Sequence, residues 1–133
     1  MRNIPKAAVW LGIALIVVTG LVHFVDAPDA FEEATYKGLL FMANGLGALV
    51  AAYGILRGAR WGWWLGLLVA GGAFVGYVAS RTIGLPGLPP EPDAWLEPLG
   101  VVSLLAEGGL VALALWAMRG MASAAAPSAG RAG

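Results

Sequence analysis

A chain of 133 residues that is 59% hydrophobic and 12% charged, with a mean hydropathy of +0.78, lies far from soluble domains at about 25% charged and 45–50% apolar and points to an integral membrane protein. Its eight basic and eight acidic residues cancel, so no basic surface for nucleic acid is expected. The lack of cysteine excludes disulfides, thiolate metal sites, iron–sulfur clusters and thiol catalysis.

Four apolar runs follow in order, at residues 7–25, 38–56, 61–80 and 98–118. Each is close to the ~20 residues that cross a hydrocarbon core of about 30 Å. Backbone groups cannot go unpaired in lipid, so the runs must be helical. The predicted fold is all-α, an integral membrane four-helix bundle over residues 1–119, with an inner turn at 57–60 and outer loops at 26–37 and 81–97. A tail at 120–133 has neither the charge pattern nor the apolar content to fold and is expected to be disordered. The first run follows a basic start and precedes Val25-Asp26-Ala27, as a signal peptide would, but its apolar stretch is at the long end for one, and a retained helix is expected.

Orientation follows from the cations. Arg2, Lys6, Arg57, Arg60, Arg119 and Arg131 fall on one side and Lys37 and Arg81 on the other, so the positive-inside rule places both termini in the cytoplasm. The acids from Asp26 to Glu33 and from Glu91 to Glu97 then lie outside, with Glu107 within the membrane. Trp10, Trp61, Trp63, Trp64 and Trp116 fall near inner ends and Tyr36 and Trp95 near outer ones, as aromatic belts do, and the Trp61–Trp64 cluster reads as an interfacial anchor. Pairs such as Gly54 and Gly58, Gly62 and Gly66, and Gly72 and Gly76 predict close helix packing, tightest in the middle hairpin. The same faces leave a homo-oligomer or a partner membrane protein open.

The first outer loop is acidic and is expected to form a short amphipathic surface helix, with Asp29 as its cap and Phe31 turned toward lipid. The second carries Pro86, Pro89, Pro90, Pro92 and Pro98. Such density predicts a stiff, extended cover, with Pro98 opening the fourth helix, where a missing N–H costs nothing.

Every helix offers a polar side chain in its outer half. Glu107 stands about ten residues into the last run, roughly 15 Å deep, where insertion scales charge about 2.5–3.5 kcal/mol for an Asp or Arg. Gly100 and Ser103 share its face. His23 sits near the outer end of the first helix, Asn44 about two turns into the second, Tyr77 and Arg81 stand one turn apart on the third, and Glu97 sits at the positive end of the fourth. The inner halves carry little beyond Tyr53, which argues against a path across the membrane. An outward-facing pocket is expected instead, with Glu107 as floor, Arg81 as counter-charge, and His23, Asn44, Tyr77, Glu97 and Ser103 as lining. A plainer reading stands beside it: Arg81 pairs with Glu107 to fix helix register, Asn44 bonds between helices, His23 is solvated at the interface, and Tyr77 packs.

His23 and Glu107 are weak metal candidates only. The chain holds a single His, with no Glu-x-x-His pair of the di-iron kind and no second axial ligand for haem. Ser80 and Ser103 have no base in register, so no catalytic residue is assigned and no cofactor is named. The segments SRTIGLPG at 80–87 and WLEPLG at 95–100, followed by Glu107, resemble small four-helix bacterial membrane proteins of no assigned function. That resemblance implies a bundle in a bacterial inner membrane with an outer-facing second loop, and no activity or catalytic residue. The expected function is binding of a small molecule, lipid headgroup or cation from the outer side. An accessory subunit of a larger membrane complex is the alternative, and a metal-dependent or redox enzyme the third reading.

Overall fold

A computed structural model describes residues 4–125, in four long helices: α1 (Lys6–Glu33), α2 (Thr35–Leu56), α3 (Arg60–Thr82) and α4 (Pro98–Ala125). They form a four-helix bundle. All four are long and apolar enough to cross a membrane, and their outward faces expose leucines such as Leu39, Leu46 and Leu105, as contact with lipid demands. Sequential helices are spatial neighbours and α4 closes the ring against α1. Across the diagonals the backbones of α1 and α3 approach only at a few points, and among the described residues no Cα atoms of α2 and α4 come within 8 Å of each other.

The first connection differs from the expected loop. α1 runs unbroken through Pro28 to Glu33, a length of about 42 Å at 1.5 Å per residue, and only Ala34, with extended backbone at φ −164°, separates it from α2. No surface helix forms and Asp29 caps nothing, because it lies inside α1. Pro28 removes one helix hydrogen bond. The helix survives it because Ala27 and Ala30 are buried there and α1 against α2 is the most extensive contact in the bundle. Phe31 lies over Gly38, where no larger residue would fit.

The α2–α3 turn lies where expected, at residues 57–59. Gly58 has φ +70°, Gly58 N–H donates to Ile55 O, and Ala59 N–H donates to Gly54 O at 2.9 Å. This is the Schellman arrangement that ends helices with a left-handed glycine. Beside it Gly54 and Gly62 bring the two backbones into direct contact, so that a Cβ on Gly54 would stand 2.6 Å from Gly62 Cα. Lipid gives no hydrophobic gain between helices, so van der Waals contact of this closeness holds them.

That tightness is confined to one end. Ile16, Ile55, Trp63 and Leu110 are essentially fully buried in the half that holds the α2–α3 turn, with Ala114, Ala117, Met118 and Met121 beneath. Trp63 is the largest of them and packs over Gly12, so it belongs to the core and not to an interfacial anchor; Trp61 and Trp64 are half exposed. Toward the other end α2 and α3 separate. A Cβ on Gly72 or Gly76 would meet nothing within 4 Å, so this pair lines a gap and does not form the predicted packing seam.

The α3–α4 connection is folded, not extended. Gly84 (φ +86°) ends α3 and Gly87 (φ +74°) turns the chain so that Leu85 pairs with Leu88. Glu91 N–H donates to Ser80 O at 2.9 Å, and a single 3-10 turn at Pro92–Ala94 leads to α4, which opens at Pro98. Tyr36 at the start of α2 donates its hydroxyl to Pro86 O at 2.6 Å and ties this cover to the opposite side of the bundle. At the far end α4 continues to Ala125, so residues 120–125 of the expected disordered tail are helical; residues 126–133 lie outside the described residues.

Candidate functional site

Where the helices separate they enclose a cavity of about 910 Å³. All seven residues singled out from the sequence line it: His23, Asn44, Tyr77, Arg81, Glu97, Ser103 and Glu107. Counted along the helices, His23 lies ten residues before the end of α1, Asn44 nine after the start of α2, Gly72 ten before the end of α3, and Glu107 nine after the start of α4. Each thus lies about 14–15 Å from the loop-end terminus of its own helix. Gly12 against Leu113 and Gly109 against Leu15 set Glu107 deeper than His23, so Glu107 is the floor and His23 stands above it on the wall.

Glu107 is 1% exposed and accepts a hydrogen bond from Ser103 Oγ at 2.8 Å. The i,i+4 spacing stacks the two side chains on one face of α4. Gly100 completes that face from above, and the Tyr77 ring fills the space that a side chain there would take. The Tyr77 hydroxyl donates to Trp95 O at 3.1 Å, and the two rings meet edge to face with centroids 5.8 Å apart. Tyr77 thus braces the cover against α3.

Arg81 does not answer Glu107. Its guanidinium lies 3.5 Å from Glu97 Oε2, donates to Ser80 Oγ at 2.9 Å, and stacks with its Cζ 4.2 Å from the Tyr77 ring centroid. The reason is register: Arg81 is one residue from the end of α3, level with the start of α4 and not with the floor. Among the described residues the ion pairs are Arg81 with Glu97 and Lys37 with Glu33.

Asn44 makes the interhelical bond of the plainer reading, donating from Nδ2 to Val69 O at 3.0 Å, and this leaves its Oδ1 buried without a donor. His23 is not solvated. It is 8% exposed, its Nδ1 lies 2.8 Å from Thr19 O, and its ring tilts against Phe41. A carbonyl can only accept, so Nδ1 carries the proton and, in the neutral ring, Nε2 is an acceptor. No hydrogen bond to Nε2 is formed among the described residues.

No protein family, curated protein or solved structure matches the chain. The site is therefore read from its own geometry.

Sequence reasoning missed the carboxylates of the outer α1. Asp26, Asp29 and Glu33 also line the cavity, as does Glu91 of the cover. The signal was present: His23, Asp26, Asp29 or Ala30, and Glu33 repeat at helical spacing, but ending the first helix at residue 25 and assigning 26–37 to a loop hides it. The cavity also has a second opening. Leu40 and Leu68 are 62% and 68% exposed, Ala43 and Gly72 are exposed as well, and all four line the cavity between α2 and α3. It therefore reaches the lateral surface of the bundle, where lipid lies, as well as the loop end. Among the described residues no three His, Asp or Glu side chains gather closely enough to hold a metal ion.

Proposed function

We propose that this is a multi-pass protein of a bacterial inner membrane whose cavity binds a small molecule, lipid headgroup or cation, with the loop end outside and both termini in the cytoplasm. The orientation rests on Lys6, Arg57, Arg60 and Arg119 at the end opposite the cavity. Binding rests on one observation above others. A fully buried carboxylate forms the floor of a cavity of about 910 Å³ and has no cation beside it among the described residues. An ionisable group at such depth is costly and is kept where a partner meets it. The volume falls within the roughly 300–1,000 Å³ of small-molecule pockets, and the mix of apolar walls with a few convergent polar groups is typical of them.

Native mass spectrometry of protein purified in mild detergent tests the reading. The comparison is with the double variant Gly72→Leu/Gly76→Leu, whose side chains enter space that is empty in the wild type. The wild type is expected to carry a non-covalent species that the filled variant lacks. Identical adduct patterns in the two would overturn the reading.

A further inference from the structure

The charges and hydrogen-bonding groups of the cavity select among ligand classes. Six carboxylates line it, those of Asp26, Asp29, Glu33, Glu91, Glu97 and Glu107, against the two cations Lys37 and Arg81. Both cations are already committed, to Glu33 and Glu97. Asp26, Asp29, Glu91 and Glu107 have no basic partner among the described residues. The cavity thus carries an excess of negative charge at its mouth and a single carboxylate at its floor.

The hydrogen-bonding inventory of His23, Asn44 and Glu107 points the same way by an independent route. His23 is more than nine-tenths buried with Nε2 unpartnered, Glu107 receives only the Ser103 hydroxyl, and Asn44 Oδ1 has no donor. The open hydrogen-bonding positions of these three side chains are all acceptors in the neutral-His state. The unpartnered donor of the site, Arg81 Nε, lies in the upper layer within a guanidinium whose charge Glu97 answers. Between mouth and floor the walls are apolar, made by Leu40, Phe41, Leu68, Val69 and Ala73. A bare metal ion would leave those walls without a role, and an anion would meet four unneutralised carboxylates.

We infer that the cavity takes a hydrophobic ammonium ion, an N–H-bearing cation on an apolar body of drug size, whose head is held by Glu107 and whose body lies along α2 and α3. The inference rests on the binding role proposed above and adds the class of ligand. The ammonium supplies both the charge and the further donors that Glu107 lacks. Its apolar body passes between Leu40 and Leu68 through the lateral opening. The ammonium belongs either to a membrane-soluble amine or to the headgroup of an aminolipid.

Three probes sharing one ring system separate charge from shape: aminoacridinium, neutral acridine and acridine carboxylate. Each is titrated at neutral pH into the detergent-solubilised full chain, with the Gly72→Leu/Gly76→Leu protein as the blank for micelle partitioning, and read by fluorescence anisotropy. Saturable binding of aminoacridinium above the other two is expected, and Glu107→Gln should weaken it about 30-fold or more, the cost of removing one partner of a buried charge pair. Gln keeps an acceptor for Ser103, and size-exclusion chromatography checks that the variant is folded. Competition by added phosphatidylethanolamine but not phosphatidylglycerol assigns the ammonium to a lipid; no competition by either assigns it to a free amine. Equal or tighter binding of the carboxylate or of neutral acridine overturns the ammonium inference on the wild type alone, as does an unchanged affinity in Glu107→Gln. If the filled variant loses that binding too, the cavity reading survives; if no probe binds and native masses of wild type and filled variant agree, both fall.

Discussion

The same substitution placed at two glycines separates the closed half of the bundle from the open half. At Gly62 an added methyl would collide with the backbone of Gly54 and Ile55, which no rotamer change can relieve. Forcing atoms into a packed contact costs about 1–3 kcal/mol, and a backbone-to-backbone clash belongs near the top of that range. Alanine returns up to about 1 kcal/mol through helix propensity, and less in a micelle, where the unfolded reference keeps much of its helix. Gly62→Ala should therefore destabilise by about 2 kcal/mol. Gly76→Ala meets nothing within 4 Å and should be neutral or stabilising by up to about 1 kcal/mol. The gap between the two, about 3 kcal/mol, is more than 100-fold in the unfolding equilibrium. Titrating SDS into dodecylmaltoside micelles and following the fluorescence of the six tryptophans measures it. Equal losses in the two variants would refute the separation of α2 from α3.

Arg81 and Glu97 should couple in a double-mutant cycle by about 0.2–1 kcal/mol, since the Glu97 side chain is 52% exposed and exposed pairs are weak. The matching cycle of Arg81 with Glu107 should show less coupling than that, and a larger value would restore the pairing inferred from sequence. Tyr36→Phe removes the bond to Pro86 O and should cost about 0.5–1.5 kcal/mol. Amide exchange at residues 83–91 should rise in the variant; unchanged protection there would mean that the bond does not hold the cover.

Much of the fold was legible because the bilayer leaves few alternatives. A run of about 20 apolar residues can only be a helix, and four of them with short connections can only be a bundle. Polarity gathered in one half of the chain's helices is likewise readable by counting residues from helix ends, which is why all seven site residues could be assigned to the outer half; His23 was placed too near the surface because α1 runs on to Glu33 and not to residue 25. What stayed hidden depended on tertiary contact. Residues 26–33 read as an acidic loop, yet the buried Ala27 and Ala30 carry the helix through them and past Pro28. Trp63 is indistinguishable by type from its neighbours Trp61 and Trp64, and only the helix face it occupies, opposite Gly12, buries it. Gly72 and Gly76 have the same spacing as Gly62 and Gly66, but spacing does not say whether a helix stands on the other side. Arg81 was assigned to the wrong carboxylate because charge was matched without matching height along the bundle.

The opening between Leu40 and Leu68 changes which forces can discriminate. A ligand that arrives from water is sorted partly by how much apolar surface it hides. One that arrives sideways from the bilayer has already left water, and exchanging acyl chains for leucine and valine gains it almost nothing. Acyl chains are then the competitors for the walls, and the whole burden of recognition moves to the polar groups, for which lipid tails have no counterpart to offer. In such a geometry three polar side chains on three helices, His23, Asn44 and Glu107, with the width left open at Gly72 on the remaining one, would outweigh the apolar contacts in setting what stays bound.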